Sequence, residues 1–388
     1  MALSAPAVPS RAGLRPWAER EWAQLTERRP GATAALVRHR WWLVVLLAAA
    51  QGAWTAALMD RTDASLFAAA AGRLLTGQGL EVFQDPALQV GPLYLLLLAP
   101  MVLLGDLLGV SPVASAGAGS AVVLVLGAVR LAGLLGADGF RRACLVGSMV
   151  VLGPVAASVG FGHSEEVLVG LCLLAAGLVL DRGTAPWWVA PLLVAAAADV
   201  KLWGALGGVL LILAPTWRQR VASGLLTCAA VAAAYLPFAL VGGMQTGSYV
   251  WTVNPKAPAS LLLEAGAAFT WTDRLSQGAL VMACALLCAR WRPHPGVLMV
   301  AVLMLVRLAT DPLPFSYYWT PLIVMALVLV WAAPWSLERS AAATIVGLPV
   351  ACAWPFVGPS IPLTVGLGSV LVVVVVRACR AAQPALAA

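Results

Sequence analysis

The chain has 388 residues, 61% hydrophobic and only 11% charged, with a mean hydropathy of +0.90. That leaves too little polar surface to cover a soluble globule of this size, and the longest polar stretch, residues 1–40, is too short for a soluble catalytic domain. The net charge of +7 calls for no nucleic-acid partner, because basic residues gather on the cytoplasmic side of membrane proteins.

In chain order, residues 1–40 carry seven arginines and lead into the apolar run Trp41–Met59. This is a signal-anchor pattern, expected to stay uncut because the run continues for a full span. Apolar segments approaching the ~18–20 residues of a bilayer crossing then recur. They lie at 92–108, 113–135, 143–161, 164–180, 186–199, 202–214, 221–241, 275–290, 295–310, 316–333, 341–355 and 361–377. The expected fold is an all-α polytopic membrane protein with about 12 spans. Residues 41–377 form one transmembrane domain between cytoplasmic tails 1–40 and 378–388. No strand-length alternation suggests a β-barrel. The seven cysteines form no C-x-x-C pair and read as small buried hydrophobes.

Arginine placement sets the sides. If 92–108 spans, Arg141 and Arg142 fall outside. If it is re-entrant or interfacial they fall inside, and 186–199 and 202–214 are then two short spans rather than one helix. The second arrangement puts six Lys and Arg outside and 17 inside, with Arg130 within a segment. Both arrangements make both termini cytoplasmic; the second is preferred. It also places eleven of the 17 acids and both lysines on the outer face. Charges near membrane depth are costly and usually functional, so the outer face is where chemistry is expected.

The first outer loop, residues 60–91, contains "MDRTDASLFAAAAGRLLTGQGLEVFQDP" from Met59 to Pro86. Counting from Asp63, Phe67, Ala70, Ala71, Leu74 and Leu75 form a helical stripe. Gly77 and Gly79 close the helix. The loop therefore reads as a short interfacial helix with an acid at its head. Asp63 serves either as a helix N-cap or as a general base at the membrane surface; periodicity leaves both open.

Three later clusters carry charge. His163, Ser164, Glu165 and Glu166 head a helix, where acids suit the helix dipole. They also fit a second acidic motif that helps hold an acceptor or a divalent ion. One His and two Glu is weak metal spacing, and no metal is expected to be required. Lys201 follows Asp199 at a helix break, which suits a salt bridge between the half-helices or a phosphate contact. Arg307 lies one turn before Asp311, which suits an i,i+4 pair or phosphate binding helped by Tyr317 and Tyr318.

The loop resembles that of membrane glycosyltransferases of the C superfold, in the polyprenol-phosphate-mannose-dependent group around glycosyltransferase family 87. The likeness rests on Asp63, Phe67, Ala70-Ala71, Leu74-Leu75, Gly77, Leu80 and "GPLY" at 91–94. "VLGPVAASVGFGHSEEVLVGLCLLAAG", "AAAADVKLWGALGGVLLILAP" and "RLATDPLPFSYYWTPLIV" resemble further blocks of such proteins. Glu81 stands where the family usually has Tyr, and the late Ser-Trp-x-His-His motif is not seen.

The resemblance implies an inverting transfer of a sugar, mannose first, from a polyprenyl-phosphate donor. The acceptor is a hydroxyl of a glycolipid, lipoglycan or protein. Asp63 is then the base, with Asp60 in reserve. Arg307, Lys201, Tyr317, Tyr318 and Lys256 are donor-phosphate contacts. His163, Glu165 and Glu166 form the acceptor or second acidic motif. No cofactor is required, although a divalent cation would fit the chemistry, and no nucleic acid is involved. The expected place is the bacterial plasma membrane, with the active site extracytoplasmic. The competing expectation is a transporter or flippase for a lipid-linked or small polar substrate, since charged helix breaks also mark substrate pathways. The acidic interfacial loop and the lack of an internal repeat argue against it.

Overall fold

In a computed structural model of the chain, the residues described are 14–58, 62–76, 78–151, 153–290, 295–313, 316–345 and 373–377. The fold is predominantly helical. Among the described residues, three helices are long and apolar enough to cross a membrane by themselves: α2 (Pro30–Leu58), α5 (Pro112–Leu134) and α10 (Trp217–Leu240). Other apolar helices are shorter. The expected spans at 341–355 and 361–377 lie mostly outside the described residues, as does the tail 378–388.

A first helix, α1 (Leu14–Arg28), precedes α2. The helix α2 begins well before the apolar run at Trp41, because the Ala, Leu and Arg residues ahead of that run are strong helix formers. It packs on α5 through small residues. A Cβ on Gly117 would lie 2.6 Å from Ala56 Cβ, and one on Gly52 would meet the Gly117 carbonyl and lie 2.6 Å from Ala121 Cβ. Small residues let helix backbones approach closely where lipid offers no hydrophobic drive.

The loop helix α3 (Thr62–Leu74) forms as the stripe predicts. Phe67, Ala70 and Ala71 are buried and Leu74 is partly buried. Leu75 is exposed, because the helix has ended one residue earlier. Gly77 and Asp60 lie outside the described residues. Helix α4 (Pro92–Leu107) follows. It packs on α5 with Gly105 against Ser115 and Met101 against Gly119, and Tyr94, Leu98 and Ser120 line one small cavity.

Three departures from expectation have local causes. The segment 143–161 is not one helix but α6 (Gly139–Val151) and α7 (Pro154–Gly160), broken at Gly153 with φ 103° and followed by a proline. Residues Leu202–Leu213 are a 3-10 helix rather than an α-helix. At about 2.0 Å rise per residue, that form stretches its twelve residues further than an α-helix would. Finally, the loop after α10 holds a two-residue antiparallel pairing, Trp251 opposite Phe269, the one strand pairing among the described residues.

Helix α8 (Ser164–Arg182) and α9 (Val189–Val200) lead into the 3-10 helix. Gly204 packs on Ala197 and Gly207 near Val194, so α9 and the 3-10 helix form a tight hairpin with Lys201 at its tip. The close approach at Gly204 leaves no room for a side chain. Helices α11 (Trp271–Cys288) and α12 (Pro295–Thr310) pack beside this hairpin. The centre is α13 (Thr320–Ala332), buried along its whole length against α5, α6 and α8. A helix apolar all round belongs in a protein core or in a bilayer, and α13 has the protein core. At the far end of α13, Arg141 donates to the carbonyls of Ala333 and Trp335, satisfying acceptors that the helix end leaves open.

Candidate functional site

The charges that lie far apart in sequence meet at one end of this bundle. Their arrangement begins with Gly162, whose φ of +80° turns the chain between α7 and α8. A Cβ there would sit 2.5 Å from the Ala64 backbone nitrogen. The turn is thus pressed onto the first turn of α3, and it delivers His163 to Asp63. Tyr94, from the "GPLY" motif, shares a 2.7 Å hydrogen bond with Ser164 Oγ and packs edge-on against Phe67. Gly91 donates to the Val200 carbonyl at 2.8 Å, and a side chain there would strike the Asp199 carbonyl. That motif therefore clamps α3, α8 and the hairpin tip together.

The result is a chain of alternating charges. His163 Nε2 lies 2.8 Å from Asp63 Oδ2, and its Nδ1 lies 2.8 Å from Glu165 Oε1. Lys201 Nζ donates to Glu165 Oε1 at 2.8 Å and contacts Glu166 Oε1 at 2.7 Å. Arg307 forks onto Glu166 at 3.2 and 3.4 Å and reaches Asp311 Oδ2 at 3.5 Å. Trp203 Nε1 donates to Glu166 Oε2 at 2.8 Å. The Glu165 and Glu166 side chains are 0% exposed, while that of Asp63 is 45% exposed. Asp63 is the end of the chain that opens to the outside.

Aromatic rings enclose the cations. The His163 ring stacks on Tyr317 with centroids 3.8 Å apart. Arg307 lies between Trp203 and Tyr318, at 4.4 and 4.8 Å from their centroids. With both faces covered and its edges on carboxylates, this guanidinium is held on every side.

Both His163 nitrogens face carboxylate oxygens, so the doubly protonated ring alone donates to both. Burial works against that charge, but the field of Glu165 and the hydrogen bonds to Asp63 and Glu165 outweigh it and raise the His163 pKa above 6.5. The sign follows from linkage. A raised pKa means that His163 contributes stability fully below about pH 6.5, and this is lost as pH rises through the folded value. Lys201 at 2.8 Å from Glu165 opposes the shift without reversing it. The thermal midpoint of the purified protein is therefore expected to fall as pH is raised above neutrality, with a shallower fall in His163→Gln. Equal slopes in the two proteins would place the titrating group elsewhere.

A cavity of about 630 Å³ opens at this cluster. Asp63, His163, Lys201, Arg307, Asp311, Tyr317 and Tyr318 all line it. Of the residues singled out in the sequence, Lys256 stands apart: it is exposed and does not line the cavity. Glu165 and Glu166 lie behind the wall, holding the two cations that line it. Asp63 is not an N-cap. It lies within the first turn of α3, and its carboxylate meets His163 rather than a backbone N–H, among the described residues. The expected Asp199–Lys201 bridge also gives way, since Lys201 turns to the two glutamates and Asp199 Oδ1 has no hydrogen-bond partner among the described residues. The Arg307–Asp311 pair does form, as the weaker of the contacts of Arg307.

Sequence reasoning missed the outer wall. Trp203, Trp251, Phe269, Trp271 and Arg274 line the cavity as well. The start of α11 positions the last two through a capping box between Thr270 and Asp273. That Thr-x-x-Asp spacing was legible and would have placed Arg274 in the first turns of a helix. Among the described residues, no group of three or more His, Cys, Asp or Glu side chains is disposed to hold a metal ion.

Comparison of the chain with protein-family models, with curated proteins and with solved structures returns no match.

Proposed function

We propose that the protein is an inverting glycosyltransferase that moves a sugar from a polyprenyl-phosphate donor to an acceptor hydroxyl. The observation that carries this reading is the state of Asp63. One carboxylate oxygen is fixed by His163, and the other, Oδ1, has no partner among the described residues and belongs to a half-exposed side chain on the cavity wall. A group so held can take a proton from a bound hydroxyl.

The step balances simply. The acceptor O–H gives its proton to Asp63 as its oxygen attacks the anomeric carbon on the face opposite the phosphate. The bond from that carbon to the phosphate oxygen breaks, and its electron pair stays on the oxygen. The products are the new glycoside, with inverted configuration, and polyprenyl phosphate. A phosphate leaves without a general acid, but the growing negative charge needs cations nearby. Lys201 and Arg307 supply that field from the wall, with Tyr317 and Tyr318 beside them. His163 acts as a positioning residue, holding Asp63 through one oxygen.

The arrangement of helices supports a membrane setting with the cavity on the extracytoplasmic side. The acids and cations that gather at the cavity are all among those assigned to the outer face by arginine counting, although others so assigned, Lys256 among them, do not line it. The hairpin at Lys201 agrees with the twelve-span scheme, in which 186–199 and 202–214 are two short segments. In this scheme the protein resides in the bacterial plasma membrane with both termini cytoplasmic. Mannose remains the first donor sugar to try, and a glycolipid, lipoglycan or protein the acceptor.

The test is to incubate purified protein with a panel of polyprenyl-phosphate sugars and measure release of polyprenyl phosphate. Release that depends on an added acceptor is expected for one donor. Uptake of intact donor into vesicles, with no release from any donor, would favour a transporter and sink the transferase reading.

A further inference from the structure

The cavity-lining cations differ in one respect. His163, Lys201 and Arg307 each contact carboxylates at 2.7–3.5 Å. Arg274 has no carboxylate within ion-pair distance among the described residues. Its guanidinium lies instead over the rings of Phe269 and Trp271, at 5.7 and 5.6 Å from their centroids. Asp311, whose charge acts on it, already meets Arg307 and accepts the Leu313 backbone N–H at 3.1 Å.

An arginine flanked by two aromatic rings rather than by carboxylates keeps its N–H groups for something else. Its fork matches phosphate oxygens in a way that a point charge does not. The rings desolvate one region around it, which strengthens any charge-assisted bond made there. Helix α11 holds it firmly: three residues on, Gln277 donates to the Thr310 hydroxyl and the Arg307 carbonyl at 3.0 and 3.3 Å. The same helix turns an apolar side outward. Trp271 is 53% exposed and Leu275 73% exposed, and Leu261 and Leu262 of the preceding loop are exposed too. Trp beside exposed leucines is the composition of a membrane interface. An anion-binding arginine at such an edge suits an amphiphile whose charged head enters the cavity while its chain stays in lipid.

We propose that Arg274 is the direct contact for the phosphate of a lipid phosphate in this cavity, with Lys201 and Arg307 committed to the buried network behind it. The proposal rests on the transferase reading only for the identity of the lipid. The phosphate contact itself stands on the geometry.

Binding is measured with purified full-length protein in detergent, using farnesyl phosphate, farnesol and inorganic phosphate as probes. Farnesyl phosphate is expected to bind most tightly. Arg274→Gln should weaken it about 10- to 100-fold, the worth of a charge-assisted hydrogen bond, and leave farnesol binding unchanged. Arg274→Lys keeps the charge but loses the fork and should fall between; it also serves if the Gln variant does not fold. Wild-type affinity for farnesyl phosphate in both variants overturns the proposal. Equal affinity for inorganic phosphate and farnesyl phosphate overturns its lipid part. The transferase assay separates the two ideas. Loss of farnesyl phosphate binding in Arg274→Gln, in a protein that turns over no sugar donor, leaves the phosphate site standing and removes the transferase. Donor turnover that Arg274→Gln does not slow does the reverse.

Discussion

Asp63→Asn is expected to lower sugar transfer by about 10²–10⁴-fold, the usual worth of a positioned base, while the protein still folds. The substitution is nearly isosteric. Asn keeps an oxygen that His163 Nε2 can meet at the same 2.8 Å, but it offers no carboxylate to take a proton. A purely structural Asp63 would behave otherwise. Half its side chain is exposed, it caps no backbone N–H among the described residues, and its one partner would survive the change. Stability would then shift little and so would the rate. The measurement is initial rate with saturating donor, alongside a thermal midpoint to show that folding is intact. Asp60→Asn serves as the comparison and should be much milder. Near-normal transfer by Asp63→Asn would remove Asp63 from the chemistry, and loss confined to Asp60→Asn would move the base by three residues.

The second large effect is on stability. Glu166 is 0% exposed and receives Lys201, Arg307 and the Trp203 indole at once. Glu166→Gln preserves shape but leaves two buried cations short of counter-charge. Breaking a buried ion network from one side costs about 3–5 kcal/mol, because a largely buried charge loses its partner. The unfolding free energy in mild detergent is expected to fall by that amount. Glu166→Gln/Lys201→Gln should recover part of the loss, since Arg307 then keeps Asp311 and Glu165 keeps His163. A single-variant loss below about 1 kcal/mol, or a double variant that is simply the sum of two losses, would mean that the network is not electrostatically closed.

How far the sequence foretold these groups depends on the distance over which each signal acts. The stripe of α3 was legible because a helix writes its buried face into every third or fourth residue. Phe67, Ala70 and Ala71 are buried as spacing requires. The break at Gly153-Pro154 was also written locally and was passed over because the surrounding residues are uniformly apolar. Partners across helices left no such mark. Lys201 has an acid two residues away at Asp199, yet it pairs with glutamates 35 and 36 residues away. Adjacency lost because the hairpin turns at Lys201 with an extended backbone, φ −157° and ψ 134°, which throws neighbouring side chains apart. Lys256 was selected on charge and side alone, and charge and side do not say whether a loop residue faces inward. Arg274 was overlooked because its one sequence neighbour of opposite charge, Asp273, turns to Thr270, and the rings that meet it, Phe269 and Trp271, carry no charge to mark the position.

The alternating chain of charges also constrains how the protein is made. Glu165 and Glu166 emerge at the head of α8 when neither of their cations exists. Lys201 follows soon after, but Arg307 is 141 residues beyond Glu166. Carboxylates at the head of an otherwise apolar helix resist leaving water until they are neutralised. In a membrane setting, α8 is therefore expected to reach its final depth in two stages, first half-matched by the hairpin that brings Lys201 and completed by α12 with Arg307. The order of the helices along the chain would then be an order of assembly, which arrest of synthesis before and after Arg307, with thiol accessibility in Ser164→Cys as the readout, would test.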